Sequence, residues 1–329
     1  MTGIVRHCYT VGMSLAAVYR CLPPKLKTHL FVLKAVLKYP SWFSFSSYLH
    51  YKRYKTTEPP AKFLHYISVV ATVKDEAPYI AEWIEYHLLQ GCEKFYIYDN
   101  ESTDNLREVL APYIRDGLVE YIYFPGKKQQ EIIYNTALKQ CRMNTYWLLP
   151  LDIDEFIAPL TSPTLAAFLH DFEGYPGLEI NWLNYGSGGH EKKTPGLVIE
   201  RFKDHAGQDC VKNMGVKSVI NPRAALFIHA HVAEYFDRVC SVNPRKEEIH
   251  LDMLDRAEPV LDTIRINHYF SKSFEEFLEK KKRGVPSKGN AEYPTQHFYD
   301  HETNDIKNDP IMDAYIPLVK ENLRRRREP

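Results

Sequence analysis

The amino-acid sequence predicts an α/β fold, in which a Rossmann-like, mostly parallel sheet is flanked by helices and preceded by a basic helical appendage. Three observations lead to this prediction. Short apolar runs alternate with helical patterns between residues 63 and 160, which is the order expected of βαβ units and a parallel sheet. Acidic clusters directly follow three of the four predicted strands. The first 62 residues are strongly basic, although the whole chain of 329 residues has a formal net charge of zero.

The basic appendage comprises residues 1–62, which carry ten lysines and arginines but only one acid, Glu58, for a net charge of +9. The rest of the chain therefore carries −9. A charge imbalance of this kind indicates a polyanionic partner. Four leucines share one helical face and a cluster of aromatic residues follows them; these are Leu26, Leu30, Leu33 and Leu37, then Trp42, Phe43, Phe45 and Tyr48.

Basic residues interleaved with apolar ones suit the interface of an anionic membrane, so peripheral binding to such a surface is the favoured interpretation. Packing of this segment against the following domain is the alternative. Nucleic acid is not expected as a partner, because no recognition motif accompanies the charge. There is no run of about 18 apolar residues that would predict a spanning helix, and the six cysteines form no CxxC pair. We therefore expect a cytoplasmic protein that is peripheral at the membrane.

The main domain is predicted to comprise residues 63–290. Strands are expected at 67–73, 95–98, 118–124 and 146–151, and the helices between them at 78–90, at about 105–114 and at 129–142. Pro78 stands near the first turn of the first helix and Gly91 just after its end, where these residue types are favoured. Residues 274–283 form a further, highly charged helix. Residues 291–329 are expected to form a C-terminal tail that ends in a solvated run of four arginines, 324–327.

Polar clusters follow the first two predicted strands. Lys74, Asp75 and Glu76 come after the first strand, and Asp99 and Asn100 come at the end of the second. In an open parallel sheet, ligands bind beyond the carboxyl ends of the strands. We therefore expect these side chains at one edge of the sheet, where they would bind the base and ribose of a nucleotide.

A third cluster, Asp152-Ile153-Asp154, follows the fourth strand. Where a strand turns into a loop, both carboxylates can converge on one ion, and their oxygens suit Mn²⁺ or Mg²⁺. Three acidic groups at one edge of the sheet repel each other unless a cation or hydrogen-bond donors satisfy them. This pattern favours a metal that would bridge the diphosphate of a nucleotide sugar. The alternative is a solvated acidic loop, because a DxD pair often arises by chance.

The sequence resembles glycosyltransferase family 92 and its bacterial relatives near family 2 in an ordered set of motifs. They begin with VKDEAPYIAEW at 73–83, EYH at 85–87 and FYIYDNESTD at 95–104, and continue with LDIDEF at 151–156. Later members are Trp182 with YGSGGH at 185–190, VKS at 216–218 with Pro222, NHY at 267–269, KS at 272–273 and KRG at 282–284. The resemblance thus covers about residues 65–285. One departure is Asp75, where the family more often has asparagine.

The resemblance implies a GT-A fold and the transfer of a hexose, by inversion, from a UDP-linked sugar to a glycan or glycolipid acceptor. It implies nucleotide contacts from the first two clusters, which are Lys74, Asp75, Glu76, Asp99 and Asn100. It also implies that Asp152 and Asp154 hold the metal, with His268 as a further ligand. Lys217 is a candidate for pairing with phosphate, although a plain surface lysine is the alternative.

Inverting transfer needs a carboxylate or imidazole beside the acceptor hydroxyl, and the resemblance implies that this catalytic base lies at or just beyond the glycine-rich loop 186–189. His190 is the first candidate and Glu191 the second, while Asp209 and Glu234 stay open. An ordinary hairpin turn is the alternative interpretation of the loop. The HxH pair at 229–231 would share one face of a strand and is a weaker candidate for metal binding.

Two other functions remain open. One is a phosphatase-type hydrolase with a DxD nucleophile pair, but that chemistry favours an early strand and a small hydroxyl residue after the pair, whereas Glu155 and Phe156 follow here. The other is a membrane-associated module that binds a nucleotide sugar without turnover. A panel of nucleotide sugars with EDTA and Mn²⁺ controls, read out as nucleotide release, separates all three.

Overall fold

The structure is a computed structural model that describes residues 24–54, 59–249, 258–284 and 291–327. The described part of the basic appendage forms two helices, α1 (Pro24–Lys38) and α2 (Phe45–Tyr54). They pack on the following domain through Phe31, Ala35 and Tyr48, which are buried. Leu33 and Leu37 of α1 are instead 55% and 73% exposed. The appendage therefore packs on one face and leaves part of the predicted leucine face at the surface; the predictions for residues 1–23 lie outside the described residues.

The first half of the domain forms the predicted βαβ units. Every strand and helix predicted between residues 63 and 151 is confirmed within a few residues of its expected bounds. The four strands pair in the order β3-β2-β1-β4, and all three pairings are parallel. In chain order the elements are β1 (His65–Val73), α3 (Ala77–Leu89), β2 (Lys94–Asp99), α4 (Leu106–Arg115), β3 (Val119–Tyr123), α5 (Gln130–Cys141) and β4 (Thr145–Pro150).

The second half extends the sheet with mixed pairing. Strand β7 (Val216–Ile220) runs antiparallel to both β4 and β6 (Gly177–Asn184). Strand β12 (Ile264–His268) pairs parallel with β6 but antiparallel with β5 (Glu155–Pro159). The mostly parallel sheet expected from the sequence is therefore confirmed for its first four strands. The elements are β5 (Glu155–Pro159), α6 (Leu165–Leu169), β6 (Gly177–Asn184), α7 (Val198–Arg201), β7 (Val216–Ile220), β8 (Ala225–Ile228), β9 (Ala233–Tyr235), β10 (Ser241–Val242), β11 (Glu248–Ile249) and β12 (Ile264–His268).

Helix α3 packs against β5, the strand that begins directly after Asp154, and is hydrogen-bonded to it. Its Trp83 indole donates a hydrogen bond of 2.9 Å to the Glu155 carbonyl, and the Tyr86 hydroxyl donates one of 2.8 Å to the Ile157 carbonyl. Both side chains are fully buried. Because truncating a buried aromatic residue to alanine costs about 3–5 kcal/mol, this contact holds the start of β5 firmly against the helix.

The C-terminal residues are part of the folded domain. Helix α8 (Phe274–Arg283) confirms the charged helix predicted there, and α9 (Gln296–Asp300) and α10 (Ile316–Arg327) follow. Helix α10 packs on the domain, because Val319 is fully buried and Arg326 pairs with Glu85 at 2.9 Å, whereas the other arginines expected to be solvated, Arg324, Arg325 and Arg327, are exposed. In the described part of the chain, no helix combines the length and the apolar character needed to cross a bilayer.

Candidate active site

A cavity of about 230 Å³ lies between the carboxyl edge of the parallel strands and helix α8. Strands β1, β6 and β12, the β4–β5 turn and α8 all contribute to it, so residues far apart in the sequence meet there. Its charged lining comprises Lys74, Glu76, Asp152, Asp154, Lys280 and Arg283, together with the rings of Trp182, His231 and His268.

The Asp152-Ile153-Asp154 turn directs its two carboxylates into this cavity. Ile153 is buried in the core, which anchors the turn between β4 and β5. The turn is closed by the Glu155 side chain, which accepts a hydrogen bond of 2.9 Å from the backbone N–H of Asp152. Both aspartates therefore lie at one cavity.

Lys217 of β7 neutralises the Asp152 carboxylate. Its Nζ lies 2.8 Å from Asp152 Oδ2 and 3.7 Å from Glu155 Oε2. Burial opposes the charged form of Lys217, but these two carboxylates together hold its pKa well above the ordinary value. Burial raises the pKa of Glu155 to about 8, while the Lys217 ammonium outweighs the effect of burial at Asp152 and lowers its pKa. Lys217 is thus a buried partner of the aspartate and not a surface lysine.

Helix α8 supplies two further cations that sequence reasoning did not single out as site residues. Lys280 Nζ lies 2.5 Å from Asp154 Oδ2, and an Arg283 guanidinium nitrogen lies 2.8 Å from Glu76 Oε1. Against the effect of burial, Lys280 holds the pKa of Asp154 far below its usual range. The signal was present in the sequence, because Lys280 and Arg283 are three residues apart and share one face of the predicted helix.

His268 is held in place by its neighbours on β6. It pairs with Asn184 in the sheet, and its Nδ1 lies 3.2 Å from Asn184 Oδ1. The Trp182 indole covers the imidazole at 4.5 Å between ring centroids. Its Nε2 faces Asp154 Oδ2 at 3.9 Å. Burial lowers the pKa of His268 to about 3, so the ring is neutral at physiological pH.

Three side chains at this cavity were predicted from the sequence to bind a metal ion: Asp152, Asp154 and His268. In residues 24–54, 59–249, 258–284 and 291–327, no group of three or more histidine, cysteine, aspartate or glutamate side chains forms a cluster that could hold a metal ion. Asp154 and His268 nevertheless fit one, because a carboxylate oxygen and a neutral imidazole nitrogen face each other, and both are ligand types that suit Mn²⁺. Asp152 would join them, and the two aspartates would exchange their contacts with Lys217 and Lys280 for the ion.

Three residues predicted to contact the nucleotide form hydrogen bonds with the backbone of neighbouring loops, and none of them lines the cavity. Asp75 Oδ1 accepts a hydrogen bond of 2.6 Å from the backbone N–H of Thr103, and Asp99 accepts one of 2.8 Å from that of Ser102. Asn100 Nδ2 donates to the Phe124 carbonyl at 2.9 Å. These side chains join the loops after β1, β2 and β3, because the loops' backbone groups need partners. Lys74 and Glu76 do line the cavity.

The predicted base candidates do not join the carboxylates. Neither His190 nor Glu191 lines the cavity. Their backbone carbonyls accept hydrogen bonds of 3.1 Å and 3.0 Å from the N–H groups of Phe274 and Glu275, which satisfy the first turn of α8. The glycine-rich loop therefore meets the N-terminus of α8, while the cavity lies beside the last turn of that helix.

The two histidines of the HxH pair point to different places. His231 lines the cavity, with its ring 5.3 Å from that of Trp182. His229 lies outside the cavity and contacts Glu131 at 3.3 Å and Glu234 at 3.0 Å. Glu234, an open candidate for the base, is therefore occupied in a contact near α1, where Lys38 and Tyr39 also bind it.

Comparison with known proteins gives one extended match. A family model described as glycosyltransferase family 92 covers residues 61–297. A glycosyltransferase family 92 protein of Oryza sativa subsp. japonica is 31% identical over 114 residues, which are 34% of this chain and 19% of that protein. One of Arabidopsis thaliana is 30% identical over 93 residues, 28% of this chain and 16% of the protein. The alignments thus span less than a fifth of these relatives.

Similarity to solved structures is weaker. The crystal structure of S. aureus TarS 1–349 in complex with UDP has 18% sequence identity and a TM-score of 0.33, over 48% of this chain and 47% of that chain. Glucosyl-3-phosphoglycerate synthase from Mycobacterium tuberculosis, in complex with Mn²⁺, UDP and phosphoglyceric acid, has 18% identity and a TM-score of 0.25, over 38% of this chain and 45% of that chain. TM-scores this low do not extend the ligands of either protein to this chain.

Proposed function

The chain belongs to glycosyltransferase family 92, and from this premise we propose that it transfers a hexose from a UDP-linked nucleotide sugar to a glycan or glycolipid acceptor. The observation that carries the proposal is the cavity in which Asp152 and Asp154 face Lys280 and Arg283. Carboxylates and cations arranged around one small cavity suit a divalent ion together with the diphosphate that it neutralises.

Mn²⁺ or Mg²⁺ is the proposed cofactor, held by Asp154 and His268, with Asp152 as a third ligand. A bound divalent ion would stabilise the negative charge that develops on the leaving diphosphate. His268 Nε2 lies 3.9 Å from Asp154 Oδ2. When the imidazole carries its proton on Nδ1, both of these atoms can only accept hydrogen bonds. Two acceptors that face each other in this way suit a cation between them, which supports the assignment.

The basic side chains are proposed to bind the phosphate oxygens of the donor. Lys280 and Arg283 pair with Asp154 and Glu76, and each retains further N–H groups that can donate to an anion. Lys74 lines the cavity as well. When the donor enters, these groups can exchange a carboxylate for a phosphate without moving far, since both partners meet at the same cavity.

Inverting transfer with His190 as the base, and Glu191 as the second candidate, is proposed from the family resemblance of their loop. Neither side chain lines the cavity, so the proposal requires the loop at 186–191 to shift relative to α8 when the acceptor binds. A His190→Ala variant should retain donor binding and lose transfer. Full transfer by this variant would remove His190 as the base.

We further propose that the appendage binds an anionic membrane surface. Leu33, Leu37, Phe45 and Leu49 are exposed on α1 and α2, within a segment of net charge +9. Apolar side chains flanked by basic residues suit the interface, where the former enter the headgroup region and the latter approach anionic lipids. This binding would bring the enzyme close to a glycolipid acceptor.

A panel of nucleotide sugars, read out as nucleotide release with Mn²⁺ or with EDTA, tests the function. We expect release with a UDP-sugar and Mn²⁺, accelerated by an acceptor glycan. Asp154→Asn should lower the rate at least about 100-fold, the scale on which losing transition-state charge stabilisation acts, whereas the exposed Asp171→Asn is a matched control that should match wild type.

Each other outcome of the same assay has a defined meaning. Equal release with and without an acceptor would indicate a hydrolase. Binding of a nucleotide sugar without release would indicate an inert module. Release at the wild-type rate by Asp154→Asn would reject the metal assignment.

A further inference from the structure

A chain of buried amide side chains leads from the loop before β7 to His268. Asn213, which lies in the short 3₁₀ helix Val211–Met214, and Asn184, at the end of β6, are both buried. Asn184 in turn contacts Nδ1 of His268 at 3.2 Å. At such contacts the identity of each nitrogen and oxygen atom decides which one donates, and here backbone groups determine it.

The orientation of Asn213 is determined from both sides. The backbone N–H of Asn184, which can only donate, points to Asn213 Oδ1 at 3.1 Å. The carbonyl of Gly207, which can only accept, receives a hydrogen bond of 2.9 Å from Asn213 Nδ2. Reversing the Asn213 amide would place two donors together at one end and two acceptors together at the other.

The orientation of Asn184 follows from that of Asn213. Asn184 Nδ2 donates to Asn213 Oδ1 at 3.2 Å, so the atom of Asn184 that faces His268 is the oxygen. An oxygen of a carboxamide only accepts, and Nδ1 of His268 must therefore carry the ring proton. An imidazole that carries its single proton on Nδ1 has a lone pair on Nε2, and Nε2 here faces Asp154 Oδ2 at 3.9 Å, too far for it to donate a hydrogen bond.

We propose that Asn213 and Asn184 form a relay that fixes His268 in the tautomer with an unprotonated Nε2, and so prepare this nitrogen to bind the divalent cation beside Asp154. They are positioning residues, since they act through His268. A hydrogen-bond partner on the other ring nitrogen is the usual way in which a protein sets the tautomer and orientation of a metal-ligating histidine. The inference rests on the proposed metal site and assigns two residues to it.

The ring is held in its plane as well as in its tautomer. Trp182 covers one side of the imidazole, and its indole N–H donates to Glu155 Oε1 at 2.8 Å. Gly215 allows this close packing, because a Cβ atom at that position would lie 2.0 Å from the Trp182 ring. The direction of the Nε2 lone pair and the orientation of the His268 ring are thus both set by the protein before an ion binds.

The tautomer can be read directly from the protein labelled with ¹⁵N-histidine, in EDTA and without donor. Protonated and unprotonated ring nitrogens have well separated ¹⁵N shifts, and a His268→Gln variant assigns the signals. We expect Nδ1 protonated and Nε2 unprotonated in the wild type at neutral pH, and a mixture of tautomers in Asn184→Ala and Asn213→Ala. A protonated Nε2 in the wild type would overturn the inference even if no variant folds.

Binding of Mn²⁺ alone, followed by the electron paramagnetic resonance of the free ion, provides the second measurement. Asn184→Ala should bind Mn²⁺ about 10–100-fold more weakly than wild type, the range typical of losing such a supporting partner. Asn181→Ala is the matched control, because Asn181 is a buried asparagine of the same strand that contacts the backbone carbonyl of Asn213 at 3.3 Å. It should keep both the tautomer and the affinity.

Unchanged tautomer and Mn²⁺ affinity in Asn184→Ala would reject the relay, as would failure of the wild type to bind Mn²⁺. Neither measurement involves turnover. A protein that shows the expected tautomer and Mn²⁺ affinity but releases no nucleotide would therefore reject the proposed function and leave the relay intact.

Discussion

Replacing Lys217 with methionine should destabilise the fold in a way that a divalent cation relieves. The Lys217 side chain is 2% exposed and is the cation between Asp152 and Glu155. Methionine has nearly the same length and fills the space of the lysine stem, so the change removes the charge with little loss of packing. Two carboxylates then share a site without their buried partner.

The expected loss in the free energy of unfolding is about 3 kcal/mol. Removing one partner of a buried ion pair costs about 3–5 kcal/mol. Two features place the cost at this site at the lower end of that range. Burial already raises the pKa of Glu155 to about 8, so Glu155 can be neutral at pH 7. Asp152 remains partly solvated, because its side chain is 33% exposed. At about 2 °C per kcal/mol for a large domain, the midpoint of thermal unfolding should fall by roughly 6 °C.

Urea unfolding followed by tryptophan fluorescence, together with thermal unfolding in EDTA and in Mn²⁺, measures this loss. Mn²⁺ should recover more stability in Lys217→Met than in the wild type, because the ion replaces the missing positive charge beside Asp152. Lys203→Met serves as the control, since the side chains of the Lys203–Asp313 pair remain 29% and 48% exposed and a pair in contact with solvent should contribute under about 1 kcal/mol. If both variants lose the same small amount, the reasoning about the buried pair is wrong.

Two further predictions concern the appendage. The hydrogen bond to Glu234 raises the pKa of His229 above 6.5. The stability that the imidazolium adds is therefore fully present below pH 6.5, and it is lost as the pH rises through the pKa that His229 has in the folded protein. The difference in unfolding free energy between wild type and His229→Gln should therefore shrink from pH 6 to pH 9, and a constant difference would contradict this origin. Replacing the exposed Leu33 and Leu37 with serine should weaken the salt-sensitive binding of the protein to phosphatidylserine vesicles. The control is Leu64→Ser, at an exposed leucine outside the appendage, which should leave this binding unchanged. An equal loss of vesicle binding in both variants would argue against a membrane face on α1. The groups that face His229 are Glu131, Glu234 and the Tyr39 hydroxyl, which lies 3.5 Å from Nε2, with Lys38 beyond them on Glu234.

Local patterns predicted the first half of the fold well. The strands β1 to β4 are apolar runs bounded by turn residues, and the helices between them begin or end at residues such as Pro78 and Gly91. These signals depend on neighbours in the sequence. The antiparallel insertion of β7 between β4 and β6 carries no comparable local signal, because the direction of a strand is decided by the partner it meets.

The same distinction applies to the site. Asp152 and Asp154 were identifiable because they follow a buried strand, whereas Asp75, Asp99 and Asn100 follow strands too and turn out to hold loops together. Spacing shows which residues stand at an edge of the sheet. It does not show which backbone groups there lack partners, and those groups determine where each side chain points.

The sequence by itself determined the α/β character, the acidic turn at Asp152-Ile153-Asp154 and the positive charge of the appendage, because each depends on residue types at short spacing. Only the tertiary structure decided what surrounds the acidic turn. Lys280 lies 126 positions from Asp154 and Lys217 lies 65 from Asp152, and both are drawn in because buried carboxylates require compensating charge. The tautomer of His268 was decided in the same way, by two asparagines whose orientation only the folded backbone determines.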